Sequence, residues 1–128
     1  MMNKLSLRTL EGLFGICRLN KGEKFPEWAM CKDSFYSITE TSDEVSVVCL
    51  QEKIPANVKA EKNWKAIKVE GPLHFSLTGI LMSLLKPLAV QRISVWAIST
   101  YDTDYLFIKQ ERYELALREL NKYFNILR

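Results

Sequence analysis

The sequence predicts an α+β protein in which antiparallel sheets carry helices on one face. Three observations predict it. Residues 77 to 88 and 111 to 124 repeat apolar side chains at helical spacing. Two β-branched and aromatic runs lie between them, parted by a polar turn. A further strand precedes the first helix and is ended by Gly71-Pro72.

The helices are the clearest elements. Leu77, Ile80, Leu81, Leu84, Leu85 and Leu88 fall at i, i+3, i+4, i+7, i+8 and i+11, one broad apolar face. Pro87 cannot donate to the carbonyl of Ser83, so this helix is expected to kink there or end just before it. In the second helix Tyr113, Ala116, Leu117, Leu120 and Phe124 form the apolar stripe, and Glu114 stands four residues before Arg118, a favourable ion-pair spacing.

Ile93 to Ser99 and Tyr105 to Lys109 read as a hairpin around Thr100-Tyr101-Asp102-Thr103-Asp104. Trp64 to Glu70 reads as a strand with Ile67 and Val69 on one face. The order strand, helix, strand, strand, helix is that of the ferredoxin-like βαββαβ unit without its last strand. Val95 and Ala97 alternate with Trp96 and Ile98, so neither face of that strand is polar and the sheet is expected to be covered on both sides, or Trp96 is simply a half-buried aromatic.

The first half echoes the unit weakly. Leu5 to Leu10 and Leu13 to Leu19 read as strands, Glu27 to Met30 as at most a helical turn, and Phe35 to Thr39 with Val45 to Leu50 as a hairpin around Ser42-Asp43. A short helix is expected near Pro55 to Glu61. Residues 1–62 thus read as a degenerate N-terminal module and 63–128 as a full one, with the N-terminal strand available to complete its edge. No Gly/Ser-rich linker parts them, so two closely packed modules are expected.

Composition excludes several classes. A chain of 128 residues with 48% hydrophobic and 26% charged residues can bury a true core, which rules out disorder and low complexity. A net charge of +3 is small for a phosphate-neutralising surface, which disfavours nucleic acid as a partner. The run Lys53, Lys59, Lys62, Lys65 and Lys68 reads as a solvated face, with a phosphate-binding patch as the alternative. The longest apolar run, Gly79 to Leu85, is too short to span a bilayer. Lys4, Arg8 and Glu11 interrupt any export signal, so a cytoplasmic location is expected.

The chemistry of catalysis is sparse. One histidine, His74, excludes mechanisms needing two imidazoles, and it reads as a loop residue before it reads as a ligand contact. No phosphate-cradling glycine loop or nucleophile elbow occurs. Cys17, Cys31 and Cys49 lack metal-ligand spacing and read as reduced packing residues, so neither metal nor cofactor is expected.

Two stretches carry a family resemblance. Gly71-Pro72-Leu73-His74-Phe75-Ser76-Leu77-Thr78-Gly79 and Ile93-Ser94-Val95-Trp96-Ala97-Ile98-Ser99-Thr100-Tyr101-Asp102-Thr103-Asp104-Tyr105 resemble the ACT-domain proteins. Within these, the chain is similar to the two-ACT family that includes the arginine-sensing CASTOR proteins and small stand-alone bacterial relatives. The resemblance covers residues 64 to 124, about half of the chain. It implies tandem ferredoxin-like ACT modules, no catalysis, and a small ligand, usually an amino acid, bound at an interface between modules. It also implies a homodimer.

The residues themselves fit such a ligand. A helix start within Phe75, Ser76, Leu77, Thr78 and Gly79 would offer unpaired amides and partial positive charge to a carboxylate. Gly79 lets a ligand approach the backbone, and Ser76 reads as a helix cap or a ligand contact. Gly71 ends the strand and shapes the rim of the pocket. Asp102 and Asp104 are partners for an ammonium, or plain turn residues; Ser99, Thr100 and Thr103 add hydroxyls, or strand-end polarity. With no output domain in the sequence, a signal would pass through an effector protein or through self-association. The rival readings are a scaffold of the same fold without a ligand and, less favoured, a nucleic-acid binder.

Overall fold

The second amphipathic segment folds as a helix that ends at Leu120 rather than 124, with Phe124 buried beyond its turn, and it organises the larger of two compact units. In the computed structural model, residues 5–71 and 79–128 are described. The chain divides into one unit of residues 1–11 with 65–128 and another of residues 12–64.

The first unit contains strands β1 (Ser6–Thr9), the end of β5 (Lys59–Val69), β6 (Trp96–Ser99), β7 (Asp104–Lys109) and β8 (Asn125–Leu127), with helices α1 (Ile80–Val90) and α2 (Gln110–Leu120). β7 lies between β5 and β6, β1 pairs antiparallel with β5, and β8 pairs parallel with β1. The final strand absent from the sequence reading is therefore present. Three residues were too short to stand out in the sequence, and β1 supplies their partner. The N-terminal strand sits inside the sheet, and β8 forms the edge.

Leu84 and Leu88 of α1 and Ala116 and Leu120 of α2 are fully buried against Leu7, Ile67, Leu106 and Ile108 of the sheet. Burying one such aliphatic side chain contributes about 1.5–3 kcal/mol, so this face is a major source of the unit's cohesion. Helix α1 runs through Pro87 to Val90 rather than ending before it. The carbonyl deprived of a donor belongs to Ser83, which is exposed, while the flanking Leu84 and Leu88 hold the helix to the core. Of the expected helical stretch 77 to 88, residues 77 and 78 lie outside the described residues.

Other departures have local causes. Residues 91–95 are not strand: Arg92 takes a left-handed φ of 57° at the helix exit, so β6 begins only at Trp96. Glu114 bonds Arg128 instead of Arg118, because β8 carries that guanidinium to within 2.9 Å. Phe107 is fully buried on the side of β7 opposite Leu106 and Ile108, yet its cross-strand partner Trp96 is 40% exposed. The second face is covered at one position and open at its neighbour.

The second unit is an antiparallel sheet. β2 (Phe14–Asn20), β3 (Ser37–Glu40) and β4 (Glu44–Leu50) pair antiparallel, with β4 in the middle, and β2 also pairs with residues 59–64 of β5, giving the order β3-β4-β2-β5. A single turn of 3-10 helix covers Glu27–Ala29. The helix expected near Pro55 to Glu61 is absent; the chain enters β5 at Lys59, where Cys17 and Arg18 of β2 offer ladder partners that local propensity does not reveal. Cys17, Val47, Cys49 and Ile54 build a separate core. The two thiols share a hydrogen bond that pulls Cys17 below and pushes Cys49 well above the ordinary thiol value. No helix among the described residues is long and apolar enough to cross a membrane.

Candidate functional site

The acidic turn between β6 and β7 is built by its own threonines. Thr100 N–H donates to the Thr103 carbonyl at 2.8 Å, and the Thr100 hydroxyl reaches the same carbonyl at 3.2 Å. Thr103 N–H in turn approaches the Thr100 hydroxyl at 3.3 Å. Ser99 and Asp104 form the last cross-strand pair, and the Ser99 hydroxyl donates to the Asp104 carboxylate at 2.5 Å. Asp102 is exposed at the tip and has no hydrogen-bond partner among the described residues.

Thr103 fixes this turn in the fold. Its side chain is 5% exposed, and its hydroxyl donates to the backbone carbonyl of Val69 at 2.5 Å. A buried carbonyl left without a donor costs about 1–3 kcal/mol, so the bond holds the turn against the end of β5. Gly71 follows two residues later and is exposed. The expected residues Ser99, Thr100, Thr103 and Asp104 thus form one bonded group beside the strand end.

Gly79 occupies the N-cap of α1 with φ 75°, a left-handed conformation that penalises any residue with a Cβ. Among the described residues a Cβ built there meets nothing within 4 Å. The helix starts one residue after Gly79. Among the described residues no side chain caps α1 and no acidic residue occupies its first turn, so the amides of Ile80, Leu81 and Met82 have no intrahelical acceptors. The first helical bond is Ser83 N–H to the Gly79 carbonyl at 2.9 Å. Phe75, Ser76, Leu77 and Thr78, with His74, lie outside the described residues.

Sequence reasoning missed a second polar grouping. Lys65, Tyr113, Glu114 and Arg128 line one hollow although 63 positions separate the first from the last. No local signal could have joined them, because β5, α2 and β8 meet only through the sheet order.

With this geometry in hand, comparison with known proteins is specific. A family model described as the ACT domain matches residues 59–122, and a model of an N-terminal domain matches residues 12–57. The cytosolic arginine sensor for mTORC1 subunit 1 of Bos taurus is 28% identical over 114 residues, covering 80% of this chain and 34% of that protein. The chain therefore spans about a third of the length of that relative. A crystal structure of an Agobacterium tumefaciens protein superposes with a TM-score of 0.90 at 36% identity, covering 98% of this chain and 94% of the other. The regulatory subunit of aspartate kinase from Thermus thermophilus, ligand-free, shares the fold at a TM-score of 0.60 and 12% identity, covering 88% and 92%. The matched ACT segment takes in all of β5 through α2, the part of the molecule that carries the acidic turn and the start of α1, and on these grounds the chain belongs to the ACT-domain family.

Proposed function

We propose that this protein is a non-catalytic regulatory sensor of a free amino acid. The ligand's carboxylate would lie on the amides that open α1, and its ammonium would face Asp102 and Asp104. The observation that carries this reading is the Thr103 to Val69 bond. It anchors the acidic turn to the strand end from which the chain departs toward the start of α1. An acidic group so placed is held in position before a ligand arrives, which lowers the ordering cost of binding.

Asp104 is already bonded to the Ser99 hydroxyl, so it accepts an ammonium with one oxygen while the hydroxyl steadies the other. Asp102 supplies an exposed carboxylate beside it. The bovine relative's designation as an arginine sensor supports an amino acid as the ligand class. The degenerate ACT-like module expected over residues 1–62 is narrowed in this reading to residues 12–62, since residues 1–11 belong to the first unit.

The signal would leave by a change in self-association or in contact with an effector protein. Among the described residues β6 pairs only with β7, so its outer edge carries unpaired backbone groups next to Trp96. Such an edge is a ready template for a second copy, and a homodimer through it is the arrangement we favour.

A thermal-shift screen against the common amino acids tests the reading. A ligand at a hundred times its dissociation constant adds about 2.7 kcal/mol, or roughly 8 °C for a chain of this size. Asp104→Ala should abolish the shift. No shift with any amino acid at millimolar concentration removes the sensor reading and leaves a scaffold of the same fold.

A further inference from the structure

We propose a second small-molecule site in the first unit, at the end of its sheet away from the acidic turn, that takes a dipolar, amino-acid-like ligand. It is independent of the site proposed above. A hollow of about 550 Å³ opens between the ends of β1, the unit's half of β5 and the first turns of α2. Its floor is Tyr113, only 7% exposed, with Thr9 beside it in the lining. The Lys65 ammonium stands 5.5 Å from the centre of that ring. No carboxylate among the described residues lies within ion-pair distance of Lys65, so a half-buried cation faces the hollow with only an aromatic ring for company. A ring stabilises such a cation weakly compared with an anion.

The mouth is closed on one side by the Arg128 guanidinium, which donates to Glu114 at 2.9 Å. Both side chains are more than half exposed, at 59% and 74%, and pairs this exposed exchange partners readily. Beyond them lies a second hollow of about 460 Å³ lined by Leu117, Arg118 and Asn121, so the pair acts as a movable partition. The lining of the first hollow carries two cations, Lys65 and Arg128, against two carboxylates, Glu11 and Glu114. That balance opposes a simple anion, which would face both carboxylates. It suits a ligand whose own carboxylate lies on Lys65 and Arg128 and whose ammonium lies on Glu11.

The test is a ¹H–¹⁵N NMR titration of the full chain with an equimolar mixture of the standard amino acids, and separately with acetate and inorganic phosphate. The expected result is a saturable shift of the Lys65 and Gln110 to Glu114 amides with the mixture at millimolar concentration and not with acetate or phosphate. Lys65→Gln should weaken binding at least about tenfold, the loss of one charge-assisted hydrogen bond, with Arg128→Gln as a second variant. Asp104→Ala should leave these shifts intact, which separates the failure of this site from that of the other. Equal shifts with acetate or phosphate, no shifts at all, or unchanged affinity in both variants would overturn the proposal.

Discussion

The hydroxyl of Thr103 donates to the carbonyl of Val69 across 2.5 Å, joining the acidic turn to the strand that precedes α1. Thr103→Val keeps the shape of the side chain and removes the donor, leaving a buried carbonyl unpaired. The expected loss is about 1–3 kcal/mol, or roughly 3–9 °C in Tm by calorimetry. Thr103→Ser, which keeps the donor, should recover most of it.

At the tip of the same hairpin, Ser99→Ala should release Asp104 without removing its charge. The expected outcome is weaker amino-acid binding by about fivefold with little change in Tm, since the lost bond is exposed and worth about 1 kcal/mol. Isothermal titration beside a thermal melt separates the two effects. A ligand affinity equal to that of the native protein would place the ammonium elsewhere.

Gly15 has no room for a side chain. A Cβ built there lies 2.3 Å from Cδ1 of Ile54, itself buried. Gly15→Ala should destabilise by about 1–3 kcal/mol through overpacking. Ile54→Val deletes that methyl, so the double variant should be less destabilised than the sum of the singles, a coupling readable in urea melts.

Self-association through β6 predicts that Trp96→Lys lowers the molar mass seen by light scattering, because a charge beside an open edge blocks pairing. The side chain is 40% exposed, so the fold should survive, and circular dichroism checks this.

The three thiols should react in two classes. Cys31 is only partly buried, whereas Cys17 and Cys49 are buried and share a hydrogen bond. A disulfide reagent at neutral pH should label one equivalent quickly and the other two only on unfolding. Three fast equivalents would show that the core of the second unit opens.

Much of the fold was legible because it rests on periodicity. The stripe at Tyr113, Ala116, Leu117 and Leu120 can bury one face only as a helix, and the sequence alone implied α2 and its packing. The Thr100 to Asp104 turn was equally plain, since short polar side chains that bond their own backbone define turns locally. The helix cap was less legible: within the expected segment Phe75 to Gly79 it is Gly79 that takes the cap, a matter of backbone geometry that several neighbouring residues could have met.

By itself, then, the sequence determined the α+β class, the helical faces and the chemical character of the acidic turn, all of which depend on neighbours within a few positions. Only the tertiary structure decided that β1 lies between β5 and β8, that Thr103 bonds Val69, and that Lys65, Tyr113 and Arg128 share a hollow. The strand and hydrogen-bond pairings join residues 34 to 119 positions apart, and their energies come from strand ladders and burial. Such terms depend on which surfaces meet in space, and no local pattern encodes that choice.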